Sequence, residues 1–317
     1  MRGIAGWLVL VTLSVAVPAH AQPRDVGAMI TEIKPGRGRI EVSGPGTAGW
    51  RPAGPLLALR VGDSVRATDD AAAVVMLAGR RGSVRVDAAR SPFVVTAPPP
   101  DTKLQKAFLL LEGGLGFLGS SPRETPRPVL ATRTMARPPV ILSPRGGPVI
   151  ADALTFEWQG YQFGRYAIRV TGPSGVVLER SGLTGSRLAL PADGPALIPG
   201  SAYTLQLFSG QSRVDEVRFE VVDRQRADDL RRDLQEVDQA LGPDVPASSR
   251  AVMQAGVLAS RGFLHDARRV VVAALIADAD QPSLHALLGD LYARTGLPRE
   301  ADEAYEQARA LASPSSR

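Results

Sequence analysis

Two copies of one helical pattern constrain the C-terminal fold of this chain more than any other feature of its 317 residues. Gly262 and Gly296 stand 34 residues apart, and each follows an apolar run with helical spacing. The residue pairs that match at this offset are Leu258/Tyr292, Ala259/Ala293, Phe263/Leu297, Ala267/Ala301, Val271/Tyr305 and Ala274/Ala308. Periods of roughly 20–50 residues are typical of proteins that stack one supersecondary unit. The pattern therefore predicts two helical hairpins.

The second copy is the more regular, with Leu288, Gly289 and Tyr292 in its first helix and small residues at Ala301 and Ala308 in its second. These residues resemble tetratricopeptide repeats, over about residues 248–313. The resemblance implies a concave, protein-binding surface lined by the first helix of each repeat. The matching positions, which we expect to bind a partner, are Val252, Gly256, Ser260, Ala286, Asp290 and Arg294. The last two lie one helical turn apart, and we expect both to be exposed.

The first copy departs from the pattern, because Gln254 and Ala255 stand where the second copy has Leu and Gly. Two repeats are also fewer than the roughly three that a stack needs for stability. A charged helix with an apolar stripe is predicted from Arg224 to Leu241, where Gly242 stops it, and it can serve as a cap. The alternatives are that the hairpins only pack against the preceding module, or that they pair with a second copy of the chain.

Short strand patterns separated by turn residues occupy about residues 26–98. The chain has 32 Gly and 26 Pro, an excess that favours many turns and short strands. Strands are predicted at residues 30–33, 39–42, 56–59, 64–67, 72–77, 83–86 and 93–96. Strands this short and this closely spaced indicate a sandwich or a roll.

Part of this module carries a recognisable motif: Trp50, then residues 61–68 with the sequence VGDSVRAT, then residues 72–79 with the sequence AAVVMLAG. The motif resembles the FecR-type periplasmic domain, although Ala78 stands where that family has Asp. The resemblance implies an exported β domain used in signalling or in surface assemblies. Its motif residues, Trp50, Gly62, Asp63, Thr68 and Gly79, are expected to be structural: Gly62 permits a tight turn and Asp63 caps it.

A second alternating pattern begins near residue 140, with Phe156 and Trp158 on one face of a strand and Tyr166 on a face of the next. Seven or so strands are predicted before residue 223, as in a β-sandwich. These residues resemble the fibronectin type III-like modules of bacterial exported proteins, in which such Trp and Tyr side chains fill the core. Tyr161 and Phe163 lie in a Gly-flanked loop, where we expect exposure and where a sugar-stacking surface is the alternative interpretation.

The N-terminus reads as a secretory signal peptide. Arg2 precedes an apolar stretch over residues 4–17, and Ala19-His20-Ala21 forms a small-x-small cleavage site. We therefore expect export with cleavage after Ala21, with retention as an anchor as the alternative. The chain has no Cys, which excludes a lipoprotein anchor, disulfides and thiol nucleophiles.

Residues 114–119, Gly-Leu-Gly-Phe-Leu-Gly, match the dinucleotide-binding pattern G-x-G-x-x-G. That function needs a helix whose first amides hold the pyrophosphate, and Pro126 and Pro128 soon after discourage one. We expect a strand and a turn here, followed by a Pro/Arg-rich linker over residues 120–139, and no cofactor.

Catalytic patterns are missing from the sequence. The mature chain has two His, His265 and His285, both predicted to face solvent or cap a helix, and neither lies in metal-ligand spacing. Acidic pairs such as Asp228-Asp229 lie on charged helix faces. The net charge of +5 comes from dispersed Arg with only three Lys, so we expect no nucleic-acid partner.

The sequence thus predicts a multidomain protein of two all-β modules followed by an α-helical tail. The predicted divisions are a signal peptide (1–21), a FecR-like β-rich domain (22–119), a linker (120–139), an immunoglobulin/fibronectin-like sandwich (140–223) and a helical repeat region (224–313). The predicted function is that of an exported, non-enzymatic binding or scaffold protein of the bacterial periplasm or envelope, without cofactor or metal. Its partner would be an envelope protein or, as a further class, a cell-wall polysaccharide. The alternative is a signal-sensing component of a FecR-type pathway.

Overall fold

The computed structural model describes residues 26–47, 49–77, 82–96, 110, 113–114, 116–118, 138–151, 154–190 and 195–314. The predicted signal peptide, Gly79 and most of the predicted linker (120–137) lie outside the described residues.

The first β module, residues 26–96, consists of two four-stranded antiparallel sheets. Its strands are β1 (Val26–Lys34), β2 (Ile40–Ser43), β3 (Arg51–Pro52), β4 (Ala58–Arg60), β5 (Ser64–Ala67), β6 (Ala72–Leu77), β7 (Ser83–Val86) and β8 (Phe93–Val94). The strand orders are β4-β1-β6-β7 and β3-β2-β5-β8. Apolar residues that alternate along β2 and β5 share one core with residues of β1 and β6.

The second β module begins at residue 138 and forms a five-stranded and a three-stranded sheet. Its strands are β9 (Val140–Ser143), β10 (Pro148–Val149), β11 (Thr155–Gln159), β12 (Tyr166–Gly172), β13 (Gly175–Leu183), β14 (Arg187–Ala189), β15 (Ser201–Ser209) and β16 (Ser212–Val221). The orders are β10-β16-β15-β12-β13 and β14-β11-β9, antiparallel apart from the β10–β16 pair. Trp158 and Tyr166 meet edge to face in its core, with ring centroids 6.2 Å apart.

Five helices follow the sheets: α1 (Arg224–Leu241), α2 (Ala247–Ser260), α3 (Leu264–Ala277), α4 (Pro282–Arg294) and α5 (Pro298–Ala312). Asp223 caps α1 by accepting a hydrogen bond from the Arg226 amide at 2.8 Å. Two hairpins, α2–α3 and α4–α5, turn at Gly262 and Gly296, both of which have positive φ. A Cβ at Gly289 would lie 2.6 Å from the Tyr305 ring, so α4 and α5 can approach this closely only with glycine there.

The order of β-rich modules followed by helices is as the sequence predicts. In the part of the chain that the structure describes, no helix combines the length and the apolar character needed to cross a membrane.

The prediction of a strand and turn at residues 114–119 is wrong for the residues that the structure describes there. Leu110, Gly113, Gly114 and residues 116–118 have helical backbone. We refer to these six described residues together as segment 110–118. Leu110 and Leu118 are buried in the same core as α1, α2 and α4, so tertiary burial overrides the poor helix propensity of the glycines. The same core includes Met29, Leu56 and Met76 of the first module.

A candidate binding face on the helical region

The residues predicted to bind a partner lie on the first helices of the two hairpins, α2 and α4. We call the side of α2 and α4 that meets the first module and segment 110–118 the inner face. Strand β1 contacts both helices there. Val252, Gly256, Ala286 and Asp290 are buried, whereas Ser260 and Arg294 are exposed. In this structure the inner face is therefore covered by other parts of the same chain.

Segment 110–118 crosses α2 at a pair of glycines. A Cβ at Gly256 would lie 3.1 Å from Leu118 Cδ1 and 3.2 Å from the Gly114 carbonyl oxygen. A Cβ at Gly114 would lie 3.0 Å from the Val257 amide nitrogen. The two backbones meet so closely that a Cβ at either position would push its neighbours away by a few tenths of an ångström, and Leu118 is fully buried beside them.

At the rim of the same contact, Arg294 reaches from the end of α4 to Phe117. Its guanidinium carbon lies 3.9 Å from the centroid of the Phe117 ring. A cation over an aromatic face at this distance contributes about 0.5–1 kcal/mol when the pair is exposed. Helix α4 therefore binds segment 110–118 through an exposed side chain, whereas α2 binds it through backbone.

A buried carboxylate fixes the first module to the start of α2. Glu32 Oε1 accepts hydrogen bonds from the Ser249 amide at 3.0 Å and from the Ser249 hydroxyl at 2.8 Å. Thr31 Oγ1 lies 2.9 Å from the same hydroxyl oxygen. Ser249 is in the first turn of α2, where unpaired amides and the helix dipole favour a negative charge. Because Glu32 and Ser249 are both buried, this contact specifies how the module docks.

Asp290 does not behave as the sequence predicts. Its expected exposure is wrong: it is 1% exposed, and Asp290 Oδ1 accepts a hydrogen bond from the Tyr305 hydroxyl at 2.7 Å. Gly289 beside it admits the Tyr305 ring, so the carboxylate joins α4 to α5.

Other residues of the hairpins, among them the start of α3, bind the second β module. Ser143 Oγ lies 2.5 Å from His265 Nδ1, and Asp266 Oδ2 accepts from the Ile150 amide at 3.4 Å. One turn further along α3, Arg268 Nη1 forms a salt bridge with Glu157 Oε2 at 2.5 Å. The prediction that His265 faces solvent or caps a helix is wrong, because the sandwich covers the start of α3.

Burial shifts the pKa values of two neighbouring titratable groups, His265 and Asp266, at this second contact. It lowers the pKa of His265 from 6.5 to about 3, helped by the positive charges of Arg269 and Arg268. It raises the pKa of Asp266 from 3.8 to about 6, against the opposing effects of Arg269 and of the Ile150 amide. At neutral pH the imidazole of His265 is therefore neutral. Because Ser143 is buried together with His265, this pair forms a contact between the second β module and the helices.

His285, by contrast, is half-buried, and its Nε2 lies 2.8 Å from the Ala279 carbonyl oxygen. Among the described residues, no group of three or more His, Asp or Glu is placed to hold a metal ion.

The motif residues of the first module lie in turns and at strand ends. Gly62 has φ of +93°, and Asp63 Oδ2 accepts from the Arg60 amide at 2.8 Å across the same turn. Thr68 Oγ1 accepts from the Arg39 amide at 3.0 Å. The ring of Trp50 is half-buried beneath the guanidinium of Arg66, 4.2 Å away.

The loop between β11 and β12 presents two aromatic side chains to solvent. Phe163 is 92% exposed and Tyr161 is 43% exposed. The Tyr166 hydroxyl accepts a hydrogen bond from the Tyr161 amide, and a Cβ at Gly160 or Gly164 would overlap that hydroxyl. The Tyr166 side chain thus holds the loop in place. Phe163 has a φ of +63°, which is unusual for a bulky residue.

Sequence reasoning missed Glu32 and Ser249, and it missed the contacts that Gly114 and Phe117 make with the helices. The only signal for the first two is a polar pair, Thr31-Glu32, inside an apolar strand, and nothing in the sequence names its partner. The glycines of residues 114–119 are a visible signal, but their pattern predicts a strand and a turn and not a helix. Compared with known proteins, the sequence matches no protein-family model and no curated protein.

Proposed function

We propose that the chain is an exported, non-catalytic scaffold or binding protein of the bacterial periplasm or envelope, and that its helices hold two β modules in a fixed arrangement. The observation that carries this proposal is that the hairpins bind both β modules through different residues. The inner face of α2 and α4 covers the first module, and α3 binds the sandwich. The resemblances to FecR-type, fibronectin type III-like and tetratricopeptide-like units support the same conclusion.

The apolar surface of a short helical stack supports this role. The second hairpin packs Tyr292, Leu297 and Ala301 against Val140 and Leu142 of the sandwich. Two hairpins alone would leave such faces in water, which costs about 25 cal/mol for each Å² of apolar area. Because the β modules cover these faces, the helices gain stability from the same contacts that orient the modules.

The fixed arrangement is tested with two spin labels on the full mature chain. The chain has no Cys, so Cys introduced at exposed Arg51 and Val176, one in each β module, are the only labelling sites. Pulsed electron paramagnetic resonance should give one narrow distance distribution. Arg268→Ala, which breaks the salt bridge with Glu157, should broaden it. A broad distribution in the unmutated background would refute the scaffold proposal.

Export is tested separately. The mature chain should begin at Gln22 and appear in the periplasmic fraction. A chain that stays in the membrane fraction and still carries Met1 would indicate an uncleaved anchor.

Binding of a cell-wall polysaccharide is a second candidate, favoured by the exposure of Phe163 and Tyr161. Aromatic faces on an anchored loop are suited to stacking against sugar rings. Co-sedimentation with purified peptidoglycan should decrease for Phe163→Asn and stay unchanged for Val176→Asn. Val176 is the matched control because it is also apolar and exposed, at 55%, and lies in the same module. Equal retention of both variants would exclude this candidate.

The alternative of a signal-sensing component rests on the resemblance of the first module to a signalling domain. It requires that the module or its neighbour leave the inner face when a signal binds. A signal that produces no change in the spin-label distances would argue against it.

A further inference from the structure

We propose that segment 110–118 is a releasable latch on a helix-binding groove. The groove is the part of the inner face between α2 and α4, and its ligand is an apolar helix that crosses α2 at a glycine and stacks an aromatic residue on Arg294. In the closed chain, the helical residues of segment 110–118 take the place of that ligand. The inference rests on the proposed binding role of the helical region and adds its ligand class and its regulation.

The composition of the segment makes it a poor helix unless it is docked. Gly113, Gly114 and Gly116 all have helical backbone, and Gly is the weakest helix former after Pro. Gly113 and Gly116 are exposed, so packing does not require glycine at these two positions. The helix therefore depends on its contact with α2, and it should unwind when that contact is lost.

The contact with the helices involves few described side chains of the segment. Leu110 and Leu118 are buried, Gly114 meets the α2 backbone, and Phe117 stacks on Arg294 at the rim. The first module has its own attachment to α2 through Glu32 and to the rest of the inner face through β1. The segment can therefore leave while the module stays docked.

The segment stays covalently attached when it leaves, because residues 119–137 join it to the start of the sandwich. A tethered ligand has an effective concentration of the order of millimolar. A free helix at micromolar concentration should therefore fail to displace it, unless the latch is weakened.

The test uses the full mature chain and a fluorescent synthetic peptide with the sequence of residues 107–119 and a solubilising Lys tail. Binding is followed by fluorescence anisotropy. The wild-type chain should bind this peptide weakly. Gly114→Leu should bind it at least about tenfold more tightly, because a side chain there meets the α2 backbone and keeps the tethered segment out.

Gly116→Leu is the matched control. A Cβ at this position meets no heavy atom within 4 Å among the described residues, so the same substitution leaves the latch closed and peptide binding weak. Adding Gly256→Leu to Gly114→Leu should abolish the gain, because the new side chain fills the groove. If Gly114→Leu binds no better than Gly116→Leu, the latch is refuted. If the double variant still binds tightly, the groove is not the site.

Phe117→Ala provides a second way to open the latch without adding bulk. It removes the stack on Arg294 and should raise peptide affinity by a smaller factor than Gly114→Leu, so a misfolded Gly114→Leu does not end the test. If Gly114→Leu misfolds and a folded Phe117→Ala binds the peptide no more tightly than the wild type, the latch is refuted. The spin-label distances between Arg51 and Val176 should stay narrow in both variants. Narrow distances without peptide binding would reject the latch and leave the scaffold proposal standing.

Discussion

The contact between Glu32 and Ser249 should couple the stability of the helices to the first β module. A hydrogen bond to a charged group contributes about 1.5–3 kcal/mol, and Glu32 accepts two of them in a buried site. Glu32→Ala removes both and leaves the amide and hydroxyl of Ser249 without their carboxylate. We expect it to lower the free energy of unfolding by about 3–5 kcal/mol.

A double-mutant cycle isolates the part of this cost that belongs to the pair. Ser249→Ala removes the hydroxyl and keeps the amide, so it should cost about 1.5–3 kcal/mol by itself. In the double variant the hydroxyl–carboxylate bond is lost only once. The two single costs should therefore exceed the cost of the double variant by about 1.5–3 kcal/mol.

The assay is urea unfolding of the full mature chain, followed by far-ultraviolet circular dichroism, which reports mainly on the helices. Glu41→Ala is the control, because Glu41 pairs with Arg66 at 2.7 Å inside the first module and should show no coupling to Ser249. A coupling energy below about 0.5 kcal/mol for Glu32 and Ser249 is the ordinary error of additivity for independent sites. Such a value would mean that the first module does not dock on α2 through this carboxylate.

Three other changes test different parts of the molecule. Trp158→Ala should cost about 3–5 kcal/mol in urea unfolding, because it empties the centre of the sandwich core. Phe163→Asn should raise the melting temperature, because Asn tolerates positive φ and the exposed ring loses little burial. Folding lowers the pKa of His265, so protonation of this group should lower the free energy of unfolding by about 3 kcal/mol between pH 7 and pH 4. Folding raises the pKa of Asp266, so protonation of this carboxylate should raise the free energy of unfolding by about as much over the same range. Urea titrations at several pH values should therefore show a steep loss of stability on acidification for Asp266→Asn and a gain for His265→Gln, each relative to wild type.

The local features of the fold could be predicted because each depends on residues that are close together in the sequence. The strands at residues 64–67, 72–77 and 83–86 and the helix Arg224–Leu241 have the bounds that their patterns indicate. Period-2 and period-3.6 spacing of apolar residues needs no knowledge of the partner surface. The hairpin turns at Gly262 and Gly296 were visible for the same reason.

Features that depend on a distant contact could not be predicted in this way. Segment 110–118 is helical because its Gly114 packs closely against Gly256 of α2. These two glycines are far apart in the sequence. His265 is buried because Ser143 of another module reaches it. A pattern within one segment cannot reveal which surface will cover it, so the sequence does not predict the burial of residues that lie between modules.

The small number of helical hairpins nevertheless indicates that their apolar faces must be covered. Two hairpins have inner and outer apolar faces, and a stack that short has few neighbouring repeats to cover them. The positions predicted to bind a partner were small or apolar at Val252, Gly256 and Ala286, and such a surface is stable in water only if something occupies it. A chain that also contains two β modules has its own occupants available at high effective concentration. The residues that predict a binding face therefore also predict, together with the small number of hairpins, that other parts of the same chain cover this face.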